Sequence, residues 1–386
     1  TANAWFGGFD RVFLGGVEES SKSGTLPETV FFMFQMTFAI ITPALIVGAY
    51  VERIKFAGVL LFSALWLFVV YAPVCHWVWG GGWLADRHVM DYAGGLVVHA
   101  TAGVSALVLA IRLGVRDGFP RDLSPPHNPG MTMTGAGMLW VGWFGFNAGS
   151  TLAATDLRVS VIASNTFIAA AAGASIMLFL QWALTGYIDV AYICNGALAG
   201  LVAVTAPCAY VAPWSAAVIG LLSGLIMRVA VWLVEVKFRV DDPLGAVAVH
   251  AANGIWGMLA VGIFADGTYG GVSGLITGQG GQLLAQFIGT IVAIAWAIAW
   301  GAAIFFGLKY TIGIRVSELV EFEGTDIHIH GSPCYITEEK FLSPVSEEFT
   351  REDLQKEKEQ VSILEQAMSK DKAREKIYSE KLGRWV

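Results

Sequence analysis

Two histidines stand in stretches that nearly repeat each other, GGLVVHATAG (Gly94 to Gly103) and GAVAVHAANG (Gly245 to Gly254). Five of the ten positions agree: Gly94/Gly245, Val98/Val249, His99/His250, Ala100/Ala251 and Gly103/Gly254. Both histidines sit inside long apolar runs, where a charged ring in hydrocarbon costs from about 3 to more than 10 kcal/mol. A neutral imidazole escapes most of that cost and keeps one N–H donor and one bare nitrogen. Two such rings can bond each other and still present a donor and an acceptor to a small species passing between them, one that gives and takes a proton. Asp91 lies eight residues before His99, roughly 12 Å along a helix axis. It either draws a cation to the mouth of that run or caps the N-terminus of its helix, and both readings stay open.

The elements that position these rings follow from composition. A chain of 386 residues that is 55% hydrophobic and 14% charged, with a mean hydropathy of +0.60, has too little polar surface for a water-soluble globule. It reads as an all-α, polytopic membrane bundle. The 45 glycines and 14 tryptophans agree with this, since small residues let spans approach and tryptophan favours the headgroup region. Apolar runs long enough to cross about 30 Å of hydrocarbon fall at 28–50, 56–79, 92–113, 132–152, 160–185, 188–209, 213–236, 244–265 and 283–308, nine in all. The histidines are on the third and eighth, so their helices run in opposite directions. Matching motifs on oppositely directed spans mark an inverted repeat, with its site near the membrane midplane.

Orientation comes from basic residues in short loops. One set of alternate loops carries Arg53, Lys55, Arg112, Arg116, Arg121, Lys237 and Arg239, and the other only Arg87 and Arg158. The first set is expected in the cytoplasm, which makes 1–27 an extracellular segment, puts the C-terminus inside, and implies a multi-pass protein of the plasma (inner) membrane. No basic patch interleaved with aromatics points to nucleic acid. The four cysteines, Cys75, Cys194, Cys208 and Cys334, have no C-x-x-C spacing and read as free thiols. His328 and His330 form an H-x-H without further ligands and read as solvated side chains. No cofactor or metal is expected.

Five motifs occur in order: HWVWGGGWL (His76 to Leu84), DYAGGLVVHATAG (Asp91 to Gly103), HNPG (His127 to Gly130), WVGWFGFNAGS (Trp140 to Ser150) and FRVDDPLGAVAVH (Phe238 to His250). Together they resemble the ammonium transporter family (Amt/Mep/Rh), from about residue 28 to Tyr335. The resemblance implies a homotrimer of ammonium-selective pores in lipid, each with eleven spans, so that two spans are expected before Thr1 and 28–320 is the membrane domain. It further implies an ammonium recruitment site at Trp79, Phe38 and Ser150, a gate of Phe38 and Phe146, the twin histidines His99 and His250 below it, and Asp91 as the acidic residue that opens the signature. These types suit the task. A cation over the face of Trp79 gains roughly 0.5–2 kcal/mol, and the Ser150 hydroxyl accepts an N–H bond that potassium cannot offer. One departure is read at Gly245, where the family's second acidic residue, five positions before the second histidine, is expected; its loss would unseat the second helix.

Residues 321–340 resemble the family's cytoplasmic end, and 341–386 continue as a charged, helix-forming stretch. A heptad set from Leu354 places Leu354, Glu357, Val361, Leu364, Met368, Asp371, Glu375, Tyr378, Leu382 and Trp385 on one seam, seven of the ten apolar, as in an imperfect coiled coil. A solvated helix or a disordered tail remains the alternative. The coil favours an ammonium sensor that signals through its C-terminal helix to an output, such as a histidine kinase-like domain expected beyond Val386, over an ordinary ammonium channel-type transporter. The chain itself encodes no catalysis and is not expected to be an enzyme.

Overall fold

The computed structural model describes residues 3–121, 126–155 and 157–332. Helices lie over each of the nine apolar runs. They are α1 (Glu28–Ala49), α2 (Phe56–Asp86), α3 (Gly95–Leu113), α4 (Pro129–Ala148), α5 (Arg158–Thr185), α6 (Val190–Thr205), α7 (Pro213–Lys237), α8 (Val247–Phe264) and α9 (Gly281–Thr311). Seven of these are long and apolar enough to cross a membrane; α6 is apolar but shorter, and α4 does not meet the same apolarity. The chain is thus a multi-pass helical membrane protein. Among the described residues the one strand pair is a two-residue hairpin, Lys22–Ser23 with Leu26–Pro27.

Local chemistry sets several ends. Asn128 caps α4, its side chain accepting from Met131 N at 3.0 Å, and Pro129 fills the first helical position, where a missing N–H costs nothing. The split between the fifth and sixth runs is real: Asp189 caps α6 through the N–H groups of Ala191 and Tyr192. α6 stops at Thr205 rather than at 209, two residues ahead of Pro207. α5, α6 and α7 approach at glycines, where a side chain would strike backbone: a β-carbon on Gly200 would sit 2.2 Å from Ala169 O, and one on Gly220 2.3 Å from the same oxygen. Such close approach is how spans associate without a hydrophobic drive between them.

The two histidine helices are the centre of the bundle. About 78% of α3 and 61% of α8 is buried, against 22–39% for the other long apolar spans. The chain separates into a compact unit, Thr1–Ile329, and a second, His330–Val386, of which 330–332 are described. The coil expected over 341–386, and Cys334, lie outside the described residues. Cys75, Cys194 and Cys208 are free thiols.

Candidate functional site

Each histidine helix starts the same way. Asp91, 4% exposed, accepts four backbone N–H bonds: Gly94 and Gly95 to Oδ1 at 2.9 and 2.7 Å, Leu96 and Val97 to Oδ2 at 2.8 and 3.0 Å. Of the two readings open for Asp91, the structure supplies the helix cap: its lone pairs are committed to the orphan donors of α3. Asp242 stands eight residues before His250, as Asp91 stands before His99, and takes the N–H groups of Ala246 and Val247 at 3.0 and 2.8 Å. This corrects the reading of Gly245. No helix-seating carboxylate is lost there, because the acidic mate of Asp91 is Asp242. Gly245, at φ +70°, is instead the mate of Gly94, at φ +117°, a left-handed turn that a side chain would strain.

The same symmetry explains the end of each repeat. A β-carbon on Gly103 would lie 2.1 Å from Ala251 N, and one on Gly254 would lie 2.7 Å from Ala100 N. Each glycine therefore lets one histidine helix press against the backbone beside the other's histidine. Both helices are wound wide around the histidine, over Gly95–Ala100 and Val247–Ala252; His99 N bonds Gly94 O, five residues back, at 3.0 Å.

The rings of His99 and His250 come to 5.2 Å between centroids and within 9° of parallel. The hydrogen bond that two neutral rings could make is not made: both nitrogens of His99 and Nδ1 of His250 are buried without a partner. Near-parallel rings stacked on their neighbours spend their faces on packing and leave the nitrogen edges open. Trp143 stacks on His99 at 5.2 Å and 13°, and Phe146 at 5.5 Å and 26°. Trp143 is itself fixed, donating Nε1–H to Thr205 Oγ1 at 2.8 Å. It went unassigned in the sequence although it stands one helical turn before Phe146 in the same motif, so that both share a face.

Phe38 and Phe146 meet at 4.6 Å with their planes tilted by 48°; Phe38 lines two cavities, and Phe146 the second of them. The first, about 730 Å³, is lined by Trp79, Phe38 and Ser150 together, with Gln35, Cys75, His76 and Tyr92. The second, about 750 Å³, is lined by His99, His250, Trp143, Phe38, Phe146 and Thr37. Trp79 meets Phe38 edge to face at 5.8 Å and is held by its Nε1–H donated to Asp91 O at 2.6 Å. Ser150 donates its hydroxyl to Phe146 O at 2.7 Å, which leaves the oxygen lone pairs free to accept. Tyr92, adjacent to Asp91, donates to Thr151 Oγ1 at 2.8 Å; with Gln35 it adds polar wall that sequence reasoning did not find. His328 is exposed and pairs with Glu323 Oε2 at 2.8 Å, apart from either cavity.

The model of the Ammonium Transporter Family matches residues 2–335. The chain is 46% identical over 346 residues to "Ammonium transporter Amt2" of Archaeoglobus fulgidus, spanning 84% of this chain and 72% of that protein. Among solved structures it resembles one described as "Sensor Amt Protein", with TM-score 0.72, 34% identity and coverage of 78% and 76% of the two chains. It also resembles Mep2 of Candida albicans, with TM-score 0.77, 31% identity and coverage of 82% and 73%. A helical membrane bundle with paired, oppositely directed histidine helices and a family match over nearly all its described residues leads to one conclusion: the chain belongs to the ammonium transporter family.

Proposed function

We propose that this protein recruits ammonium at Trp79, Phe38 and Ser150, admits it past Phe38 and Phe146, and handles its proton beside His99 and His250 as an ammonium transporter. One observation carries the reading: the three recruitment residues line one cavity, and Phe38 among them, in contact with Phe146, also lines the cavity that both histidines line. The chemistry agrees. Trp79 offers a π-face to a cation, Ser150 offers an acceptor whose own proton is already donated, and ammonium, unlike potassium, brings N–H donors to it. The relatives' names agree as well, "Ammonium transporter Amt2" among them. We propose further that it works in the plasma (inner) membrane with its C-terminus cytoplasmic, as the loop charges suggest, and as a homotrimer in lipid, as the family resemblance implies.

A second reading is a sensor that binds ammonium at the same site and signals through 341–386 to an output domain. Its support is the likeness to "Sensor Amt Protein" and the heptad pattern of that stretch. Ammonium-pulse currents on proteoliposomes of the full-length protein, with calorimetric ammonium binding on the same preparation, separate the two. Sustained current lost when His99 and His250 are both replaced means transport. Binding without sustained current means a receptor, and removing 340–386 should then abolish output and leave binding intact.

A further inference from the structure

We propose that Arg53 is a positioning residue that holds the helices of Phe38, His99 and His250 in register from the end opposite the recruitment cavity. It rests on the reading that ammonium passes those three rings. Arg53 lies in the turn between α1 and α2 and is 0% exposed. Its guanidinium reaches the inner ends of three helices at once. Nη2 donates to Ala49 O, at the end of α1, which carries Phe38. Nη1 donates to Gly114 O at 2.6 Å, one residue past α3, which carries His99. Nη2 also donates to Asp241 O at 3.2 Å, and Nη1 pairs with Asp241 Oδ2 at 3.3 Å. Asp241 directly precedes Asp242, the cap of α8, which carries His250.

The backbone of Arg53 is tied to a fourth segment. Val316 N donates to Arg53 O at 3.0 Å, and Lys55 N to Ile314 O at 2.9 Å, so the stretch after α9 runs alongside the turn. Arg315, from that stretch, donates to Leu113 O and to Val115 O, and pairs with Glu321 Oε2 at 2.8 Å. Arg116 clasps Asp241 through Nε and Nη2, both at 2.9 Å. The charged groups around Arg53 are thus Asp241, Arg116, Arg315 and Glu321.

Burying a charge is costly even when it is paired, and an apolar side chain of the same volume often anchors a fold as well. Arg53 moreover keeps its Nε–H without a partner, a further cost. What no apolar residue supplies is a rigid fork reaching three carbonyls, at the end of α1, just past α3 and just before the residue that caps α8. The geometry therefore assigns Arg53 to register: a change in how the segment after α9 sits on the turn is passed to the ends of the helices that carry the pore rings.

The test uses the full-length protein in proteoliposomes and compares Arg53→Lys, which keeps the charge and loses the fork, with Val316→Pro, which removes one N–H from the segment after α9. The expected result is folded protein whose ammonium-evoked current falls about two- to thirtyfold, the range for residues that couple without touching the ligand, with its pH midpoint displaced. Val316→Pro moves both in the same direction and less. Arg53→Lys with unchanged current per folded molecule and an unchanged pH midpoint overturns the proposal, as does lower thermal stability with the midpoint unmoved, the mark of a merely structural residue. If Arg53→Lys does not fold, Val316→Pro decides by the same two readouts. A wild type that binds ammonium but carries no current sinks the transport reading instead, and the variants are then scored by calorimetric ammonium affinity.

Discussion

Asp91 and Asp242 are symmetry mates with unequal work, and the inequality is measurable. In Asp91→Asn one carboxylate oxygen becomes an NH₂ group that faces backbone N–H donors. Each oxygen of Asp91 takes two such bonds, so two are lost whichever way the amide settles. Each oxygen of Asp242 takes one bond of full geometry, with a weaker contact from the Ala248 N–H beside them, so Asp242→Asn loses one full bond. A hydrogen bond to a charged group contributes about 1.5–3 kcal/mol, which makes the expected losses roughly 3–6 kcal/mol at Asp91 against about 1.5–3 kcal/mol at Asp242 by the same rule. Both substitutions remove one charge from a helix N-terminus, so that contribution cancels in the comparison. Thermal melts of detergent-solubilised protein, followed by the fraction remaining monodisperse on size exclusion, rank the two against wild type. Asp91→Asn should melt lower by about twice the displacement of Asp242→Asn. Equal displacements, or a larger one for Asp242→Asn, would refute the counting of bonds on which the two caps are distinguished.

Three further outcomes are expected. Replacing His99 and His250 together abolishes the ammonium-driven current or its pH dependence, and a current with an unchanged pH profile removes the histidines from proton handling. Ser150→Ala weakens ammonium binding by about 10- to 150-fold, the equivalent of one hydrogen bond to a charged group at about 1.5–3 kcal/mol, and leaves potassium binding where it was; competition calorimetry reads both, and an equal loss for the two ions rejects the hydroxyl as the discriminator. Gly103→Ala places a β-carbon at 2.1 Å from Ala251 N, against backbone that cannot give, so α3 and α8 must part. Folded yield should collapse, and a variant with wild-type yield and melting temperature contradicts the close crossing.

Much of this was legible because the membrane leaves a chain few options. With backbone groups unable to meet water, each long apolar run must be helix, and helices stand over all nine. The histidine repeat was legible for the same reason, since a polar ring at depth is costly enough to stand out. The failures are local. The mate of Asp91 was sought five residues before His250, at Gly245, although the register that pairs Gly94 with Gly245 already sets Asp242 opposite Asp91; the three-dimensional caps show that Asp242 does the same work. A hydrogen bond between the rings was open to them from the sequence, but ring orientation is set by neighbours such as Trp143, whose contact with His99 spans two helices and leaves no periodic trace. Arg53 read as a loop charge that fixed orientation; its burial depends on Gly114, Asp241 and Val316, which are far from it in sequence.

Phe38 belongs to both cavities, and that shared wall links their contents. An occupant that turned the ring from one cavity would change the shape of the other. Ring orientations in a packed site are few, so the two chambers draw on one small set of states. Whatever occupancy of the first does to the second, occupancy of the second must do to the first by the same factor. Under the proposed function, ammonium in the first cavity and the state of the histidines in the second would be two readings of a single equilibrium, with the Phe38 ring as the physical link between them.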